Sequence, residues 1–384
     1  MKDFPRLTYC GNVHSAVDLD GWVDGVARFA APLLARARDL GRAFGLGVHW
    51  PASLARTLAG DQAALRRARE AMEDLGLALW TANAFPYGDF CADAVKLLVY
   101  EPDWETEERL AYTVDCARVC AELASPGQEI PISTLPLGFR PPGARADLRL
   151  MARNLARAAS AMAAIEHRTG VTCVLALEPE PFCLLETCSE AASFLEQWLF
   201  DEGAWTTIPE GVLRRHLGIC IDLCHLAVVR EDPKRAFSDL AARGIRVPKI
   251  QVSACLELRD GAAIDELLSF DEPRYLHQTV AENGLCALDL PEVRDRRAEF
   301  TAAGGLRTHF HVPISEEGGE RLGTTSRDVA RFLRGARSLA RPIPLLEVET
   351  YTWPSWLARR GAERRLTAAD IGGELEFAER CLRG

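Results

Sequence analysis

The sequence has no apolar stretch of roughly 18 residues, so nothing in it reads as a helix able to cross a membrane. Its opening, MKDFPRLTYCGNVH, lacks the basic and then apolar layout of a secretory signal. Together these lead to the expectation of a cytoplasmic protein. A basic excess is also missing. The 45 Lys and Arg against 55 Asp and Glu leave a formal charge of −10, which disfavours a nucleic-acid partner because phosphate backbones select clustered cations. The 12 cysteines include no CxxC pair and no zinc-knuckle spacing. A chain of this length needs no covalent staples, so the thiols are expected to be reduced and mostly buried. There is no GxSxG elbow, no Walker-type phosphate loop and no GxGxxG after a strand, which sets aside hydrolase-triad, nucleotide and dinucleotide chemistry. The close glycines of AFGLGVHW lie inside a β-like run, not at a strand-to-helix turn.

What is present fits one large globular unit. Hydrophobic residues make up 48% and charged residues 26% of the 384, a balance that supports a sizeable core. The length suits a (β/α)8 TIM barrel, for which roughly 250 residues is typical and insertions add more. Short β-rich runs alternate with longer segments of helical period, the pattern of a parallel sheet covered by helices. Eight runs are expected as strands, at residues 7–10, 45–50, 77–83, 131–135, 172–178, 217–222, 247–253 and 343–349. Between them, segments such as DQAALRRAREAMEDLG and LRLMARNLARAASAMAAIEHRTG repeat apolar residues at three and four and are expected as outer helices. A further β-like run at residues 308–312, in RTHFHVPI, exceeds the count. It is read as part of a long excursion after the seventh strand, about residues 254–325, with only short helical pieces. Such connections cover or build sites. Residues 350–384 are expected as a helical tail, and the absence of repeats and flexible linkers points to a single domain over 1–384.

Active groups of such a barrel stand at the carboxyl ends of its strands, and several of these runs end in acids. In VLALEPEP, Glu178 and Glu180 share one side of the strand after a buried apolar run, where a carboxylate is costly unless partnered. In GICIDLCH, Asp222 ends a strand and His225 follows at the opening of a helix, so both side chains can turn to one point above the barrel. The plainer alternative is Asp222 capping that helix with His225 packed on it. Carboxylate and imidazole together suit Mn, Zn, Fe or Co, whereas carboxylates alone lean toward Mg. VPKIQVSA sends Lys249, Gln251 and Ser253 to one face, where Gln251 can ligate, bond a substrate or join a polar layer inside the barrel. IPLLEVETYTW ends in Glu347 and Glu349 on one face, with Glu347 at the depth matching Glu178. In THFHVP, His309 and His311 share a face, and either can reach the site. The opposite wall is expected from Asn12, His14, His49, Trp50, Asn83, Phe85 and Tyr87, an amide and aromatic surface suited to a sugar-like ligand. Arg140 has the planar fork for a phosphate or carboxylate, although a surface Arg is the commoner case.

With Glu178, Asp222, His225, Gln251 and Glu347 in this order, the chain resembles the xylose isomerase-like TIM-barrel superfamily of sugar isomerases, epimerases and related metal enzymes over nearly its whole length. Within it, the phrases LTYCGNVH, NAFPYGDF, STLPLGFR, LALEPEPFCLLET, GICIDLCHLAV, YLHQTV, HFHVP and LEVETYTW resemble the EboE-like family, associated with traffic or processing of secondary metabolites. The resemblance implies Glu178, Asp222 and Glu347 as metal ligands. Gln251 fills the strand-seven position that is often His in the superfamily, and His225 or His311 would supply an imidazole. It implies a divalent metal (Mn, Zn, Mg, Fe or Co) and an isomerase or epimerase acting on a small carbohydrate-like or hydroxycarbonyl substrate. Glu178 and Glu347 would exchange the proton. His14, His49, Asn83, Tyr87, Arg140, Glu180, Lys249 and His309 would contact the substrate. Two alternatives stand beside it. One is a hydrolase of an ester or phosphoester, with His14, His49, His309 or His311 on a second metal about 4 Å away. The other is a binding or carrier protein without turnover.

Overall fold

The computed structural model describes residues 4–14, 16–140, 145–200, 207–336, 339, 343–359, 361 and 364–384. Each of the eight expected runs overlaps a strand, and β4 begins two residues before its expected run. In chain order the strands are β1 (Leu7–Tyr9), β2 (Gly45–His49), β3 (Ala78–Asn83), β4 (Glu129–Thr134), β5 (Thr172–Leu177), β6 (Leu217–Ile219), β7 (Ile221–Asp222), β8 (Lys249–Val252), β9 (Ala254–Leu258), β10 (Thr279–Ala281), β11 (Cys286–Ala287), β12 (Leu306–Val312), β13 (Leu322–Thr324) and β14 (Leu345–Val348). Strands β2 to β6 pair in parallel in sequence order, and β7, β8, β14 and β1 form a second parallel arc. The arcs join where β6 and β7 continue one another through Cys220. On the far side Thr8 Oγ1 donates to Gly45 O at 2.7 Å, tying β1 to β2. This is a (β/α)8 barrel, and its strands are almost wholly buried because helices cover them.

The outer helices start and stop where their side chains can satisfy the free backbone groups. Helix Gln62–Glu73 begins on Asp61, whose carboxylate accepts from the Ala63 and Ala64 amides. Helix Leu148–Thr169 begins on Asp147, which accepts from the Leu150 amide, and ends at Gly170 in the left-handed conformation (φ 73). The two glycines of β2 are there for close approach. A Cβ on Gly45 would stand 2.3 Å from the Trp80 ring, and one on Gly47 would stand 2.1 Å from Glu347 Oε1 and 2.4 Å from Tyr9 O.

The excursion after the seventh barrel strand differs from expectation. Its helical pieces are short, as at Ile264–Leu268, Leu290–Asp295 and Arg297–Ala302, but its framework is an antiparallel sheet in the order β11-β10-β12-β9-β13. β9 prolongs β8 past the barrel rim after one residue, Ser253, and offers its edges to β12 and β13. Strands of two or three residues such as β10, β11 and β13 leave no periodicity to read. The β12–β9 register shifts between Thr308 and Val312, the kind of irregularity that re-aims side chains, and His309 and His311 lie in that interval. The tail carries helices Trp353–Arg359 and Ala368–Arg383. All twelve cysteines are free, and nine of them are buried. Among the described residues, no helix is long and apolar enough to cross a membrane.

Candidate metal centre

Three carboxylates meet at the carboxyl ends of the barrel strands. Glu178 follows β5, Asp222 ends β7 and Glu349 follows β14; all three are buried, with ligand atoms within 4.8 Å of one another. Asp222 Oδ1 accepts from the His225 amide at 2.8 Å and from Ser253 Oγ at 2.8 Å, so this residue caps its helix and faces the site at once. Its Oδ2 has no hydrogen-bond partner, and neither has Glu178 Oε2. Glu349 Oε1 accepts from Asn12 Nδ2 at 2.7 Å and Asn83 Nδ2 at 3.0 Å. Burial, and then the charges of Glu349 and Asp222, hold the Glu178 carboxyl well above the usual range; burial, then Asp222 and Glu347, do the same to Glu349. Bare oxygens on mutually repelling buried acids fit a divalent cation, which satisfies the oxygens and cancels the repulsion.

Glu347 does not join this group. It lies two residues deeper, where its Oε2 is 2.6 Å from Lys249 Nζ, and both side chains are fully inaccessible. Lys249 also donates to Thr81 Oγ1 at 3.2 Å and Ala82 O at 3.3 Å, so it is a counter-ion inside the barrel and not a pocket residue. The cause is stagger. Asp222, Gln251 and Glu347 are in register across β7, β8 and β14. In an eight-stranded barrel of shear eight, however, height along the axis advances by about one residue per strand. Two strands from Asp222, the residue level with it is therefore Glu349. Gln251 remains buried beneath the carboxylates, with neither amide atom hydrogen-bonded.

Above the carboxylates, His225, His309, His311 and Glu180 line the same pocket. Each imidazole turns Nδ1 to a carbonyl oxygen: His225 to Pro179 O at 3.0 Å, His309 to Gln278 Oε1 at 2.9 Å and His311 to Glu349 O at 3.0 Å. Burial, and then the neighbouring imidazoles, hold His309 far below its ordinary value. Burial pushes His311 down to about 4, with His225 adding to this and Asp222 opposing it. Both rings are therefore neutral and fit for ligation. Glu180 Oε1 accepts from Tyr100 Oη at 2.6 Å, and burial raises its carboxyl. Phe85, Phe90, Tyr275 and Tyr351 form apolar walls.

Among solved structures, a xylose isomerase-like TIM barrel protein from Mycobacterium smegmatis in complex with magnesium matches with a TM-score of 0.50 and 12% identity, over 95% of this chain and 89% of that one. The chain shares the TIM-barrel fold of that protein. An L-ribulose 3-epimerase (TM-score 0.47, 14% identity, 98% and 96% covered) and a D-psicose 3-epimerase from Clostridium cellulolyticum H10 with D-tagatose (0.45, 12%, 99% and 99%) are similar over comparable lengths. No family profile and no curated protein matches the chain.

Of the residues expected to contact substrate, the barrel brings Asn83, Glu180 and His309 to the pocket. Four others, besides Lys249, stand apart from its lining. His14 stacks on Phe29 with ring centroids 4.7 Å apart and bonds Tyr9 Oη through Nε2 at 2.9 Å. His49 lies behind Asn83, with Nδ1 3.1 Å from its carbonyl. Tyr87 packs edge-on against Tyr112, beside the buried Arg109 guanidinium. Arg140 is nearly half exposed and donates to Leu184 O. For each, a strand-end position fixed proximity to the rim but not side-chain direction. Tyr100, Gln278, Tyr275 and Tyr351 were not anticipated. Two of them sit in YLHQTV, whose pattern marks no element. Glu349 was visible only as the second acid of LEVE.

Proposed function

We propose that the chain is a metal-dependent isomerase or epimerase of a small polyhydroxylated or hydroxycarbonyl compound. The observation that carries this reading is the buried trio Glu178, Asp222 and Glu349, with Glu178 Oε2 and Asp222 Oδ2 lacking any donor. In this reading the trio holds a divalent cation of the Mg, Mn, Zn, Fe or Co group, and the free amide of Gln251 is a further candidate ligand from below. When bound, such a cation supplies Lewis acidity toward a substrate carbonyl. Glu178 and Glu349 are the proton carriers, reaching the pocket from strands three positions apart around the ring; one takes the proton beside the carbonyl and the other returns it. Asn12 and Asn83 anchor Glu349 Oε1 and leave Oε2 to face the reaction. Phe85, Phe90, Tyr275 and Tyr351 exclude water around the reacting carbon. Glu347 has no chemical role in this scheme, because Lys249 neutralises it.

The phrases resembling the EboE-like family support, as part of the same proposal, a substrate drawn from the making or movement of a secondary metabolite. The test is proton exchange. Protein loaded with Mn2+ or Co2+ is incubated in deuterated water with a panel of ketoses and hydroxycarbonyl compounds, and deuterium incorporation is followed by NMR. Glu178→Gln and Glu349→Gln should each slow exchange by roughly 10²- to 10⁴-fold, and Glu347→Gln with Lys249→Met should slow it far less. Cation binding without exchange on any such compound would turn the reading into that of a carrier, and absence of cation binding would overturn it.

A further inference from the structure

The paired imidazoles of His309 and His311 have no part in that scheme. Both are buried, and they approach through their Nε2 atoms, 3.1 Å apart. The Nδ1 of each faces an oxygen that can only accept, Glu349 O for His311 and Gln278 Oε1 for His309. Gln278 is held in that orientation. Its Nε2 lies 2.7 Å from Tyr100 Oη, whose own proton goes to Glu180, and 3.3 Å from both Glu180 Oε1 and Pro181 O. Each Nδ1 therefore carries the proton of its neutral ring, and each Nε2 presents a lone pair. Two lone pairs at this distance repel. Tyr351 Oη, 3.3 Å from His309 Nε2, can donate to one of them and leaves the other bare. His225 has the same tautomer, set by Pro179 O, and its ring centroid is 4.6 Å from that of His309 and 5.5 Å from that of His311.

We propose that His309 and His311 hold a second divalent cation, of the zinc and cobalt class that favours imidazole, next to the cation of the carboxylate trio. Two nitrogens bound at about 2.0–2.1 Å to one tetrahedral zinc stand about 3.3 Å apart, close to the separation seen here. Further donors surround the pair: Glu180, His225 and His309 form one group with ligand atoms within 4.8 Å, and Cys224, His309 and His311 form another. Asp222 belongs to the trio and also to a group with His225 and His311, so it is the residue that bridges the two positions. The inference deepens the proposed function and rests on it only for the first cation.

The full chain is stripped with chelator and titrated with Co2+, and bound metal and visible absorption are read together. Wild type is expected to hold two equivalents and to show the intense absorption of nitrogen-rich tetrahedral cobalt. His309→Ala and His311→Gln should each lose one equivalent and at least tenfold of that absorption. Glu178→Gln combined with Glu349→Gln should lose the other equivalent and keep the absorption, and Tyr351→Phe should keep both. A single equivalent in wild type, or two equivalents surviving in His309→Ala, would overturn the second site and leave the carboxylate reading standing. No bound cobalt at all would overturn both. Where one histidine variant fails to fold, the other carries the test, and a single equivalent in wild type overturns the second site without either.

Discussion

Lys249 and Glu347 show at the scale of single residues how this barrel tolerates charge in its interior. Burial alone would discharge the Lys249 ammonium, but Glu347, then nearby thiols and Glu178, reverse the effect and hold it above its ordinary value. Removing one partner leaves the other charge uncompensated. Lys249→Met is therefore expected to cost about 3–5 kcal/mol, while Lys249→Met with Glu347→Leu restores most of the loss, since a buried pair is often replaceable by apolar residues. Urea unfolding of the four members of this cycle checks the expectation, and a double variant no better than the single one would contradict it. Gly47 belongs to the same packing unit. An added methyl would meet both the Glu347 carboxylate and the rigid Tyr9 carbonyl, so Gly47→Ala is expected to destabilise by roughly 1–3 kcal/mol. A lower unfolding midpoint would show this, and an unchanged midpoint would refute the close contact.

At the scale of elements, the C-terminal helix Ala368–Arg383 is tied to the rim by Glu374. Its Oε1 accepts from the Ile314 amide at 2.9 Å and from Thr350 Oγ1 at 2.7 Å, and its Oε2 accepts from Trp353 Nε1 at 2.6 Å. Burial nevertheless raises this carboxyl from 4.5 to about 7, with Asp370 adding slightly and the three donors opposing. Below the unfolded value both states hold the proton and the group contributes no pH dependence. Between the two values the unfolded chain has released its proton and the folded chain has not, so stability falls as pH rises, by up to about 3 kcal/mol. Glu374→Gln should remove this slope and leave a constant offset, because its amide would face the Trp353 donor. Unfolding midpoints measured across that window for both proteins separate slope from offset; parallel curves would rule out the titration. Legibility follows the same line between local and distant causes. The helices at Asp61 and Asp147 were readable because cap and apolar period lie within one segment. The sheet of the excursion was not, because β10 and β11 form a hairpin too short to show a period and β10 and β13 join the sheet by pairing with β12 and β9 far along the chain.

At the scale of the whole molecule, the alternation of runs was enough to expect the barrel, and the acids at strand ends were enough to direct the search for a site to its carboxyl face, where the proposed metal centre lies. What the sequence does not carry is the stagger of a closed sheet, which sets Glu349 and not Glu347 beside Asp222 and Glu178, or the fold-back of β12, which brings His309 and His311 beside Cys224 and His225. The closed arrangement has a thermodynamic consequence. Glu178, Asp222 and Glu349 come from three separate strands and meet only in the folded barrel, so a cation held by them binds the folded chain far better than the unfolded one. At a free cation concentration of about one hundred times its Kd, folding should gain about 2.7 kcal/mol per bound ion. Thermal unfolding of chelator-treated protein should therefore shift upward on adding Mn2+ or Zn2+, with a midpoint that keeps rising with the logarithm of concentration. Asp222→Ala, which removes the carboxylate common to both proposed positions, should start from a higher metal-free midpoint than the loss of its cap alone would give, because three repelling acids become two, and should lose most of the metal-dependent shift. An equal shift in Asp222→Ala and wild type would mean that the cation binds elsewhere, and the carboxylate trio would then have to be read as a strained polar layer of the barrel.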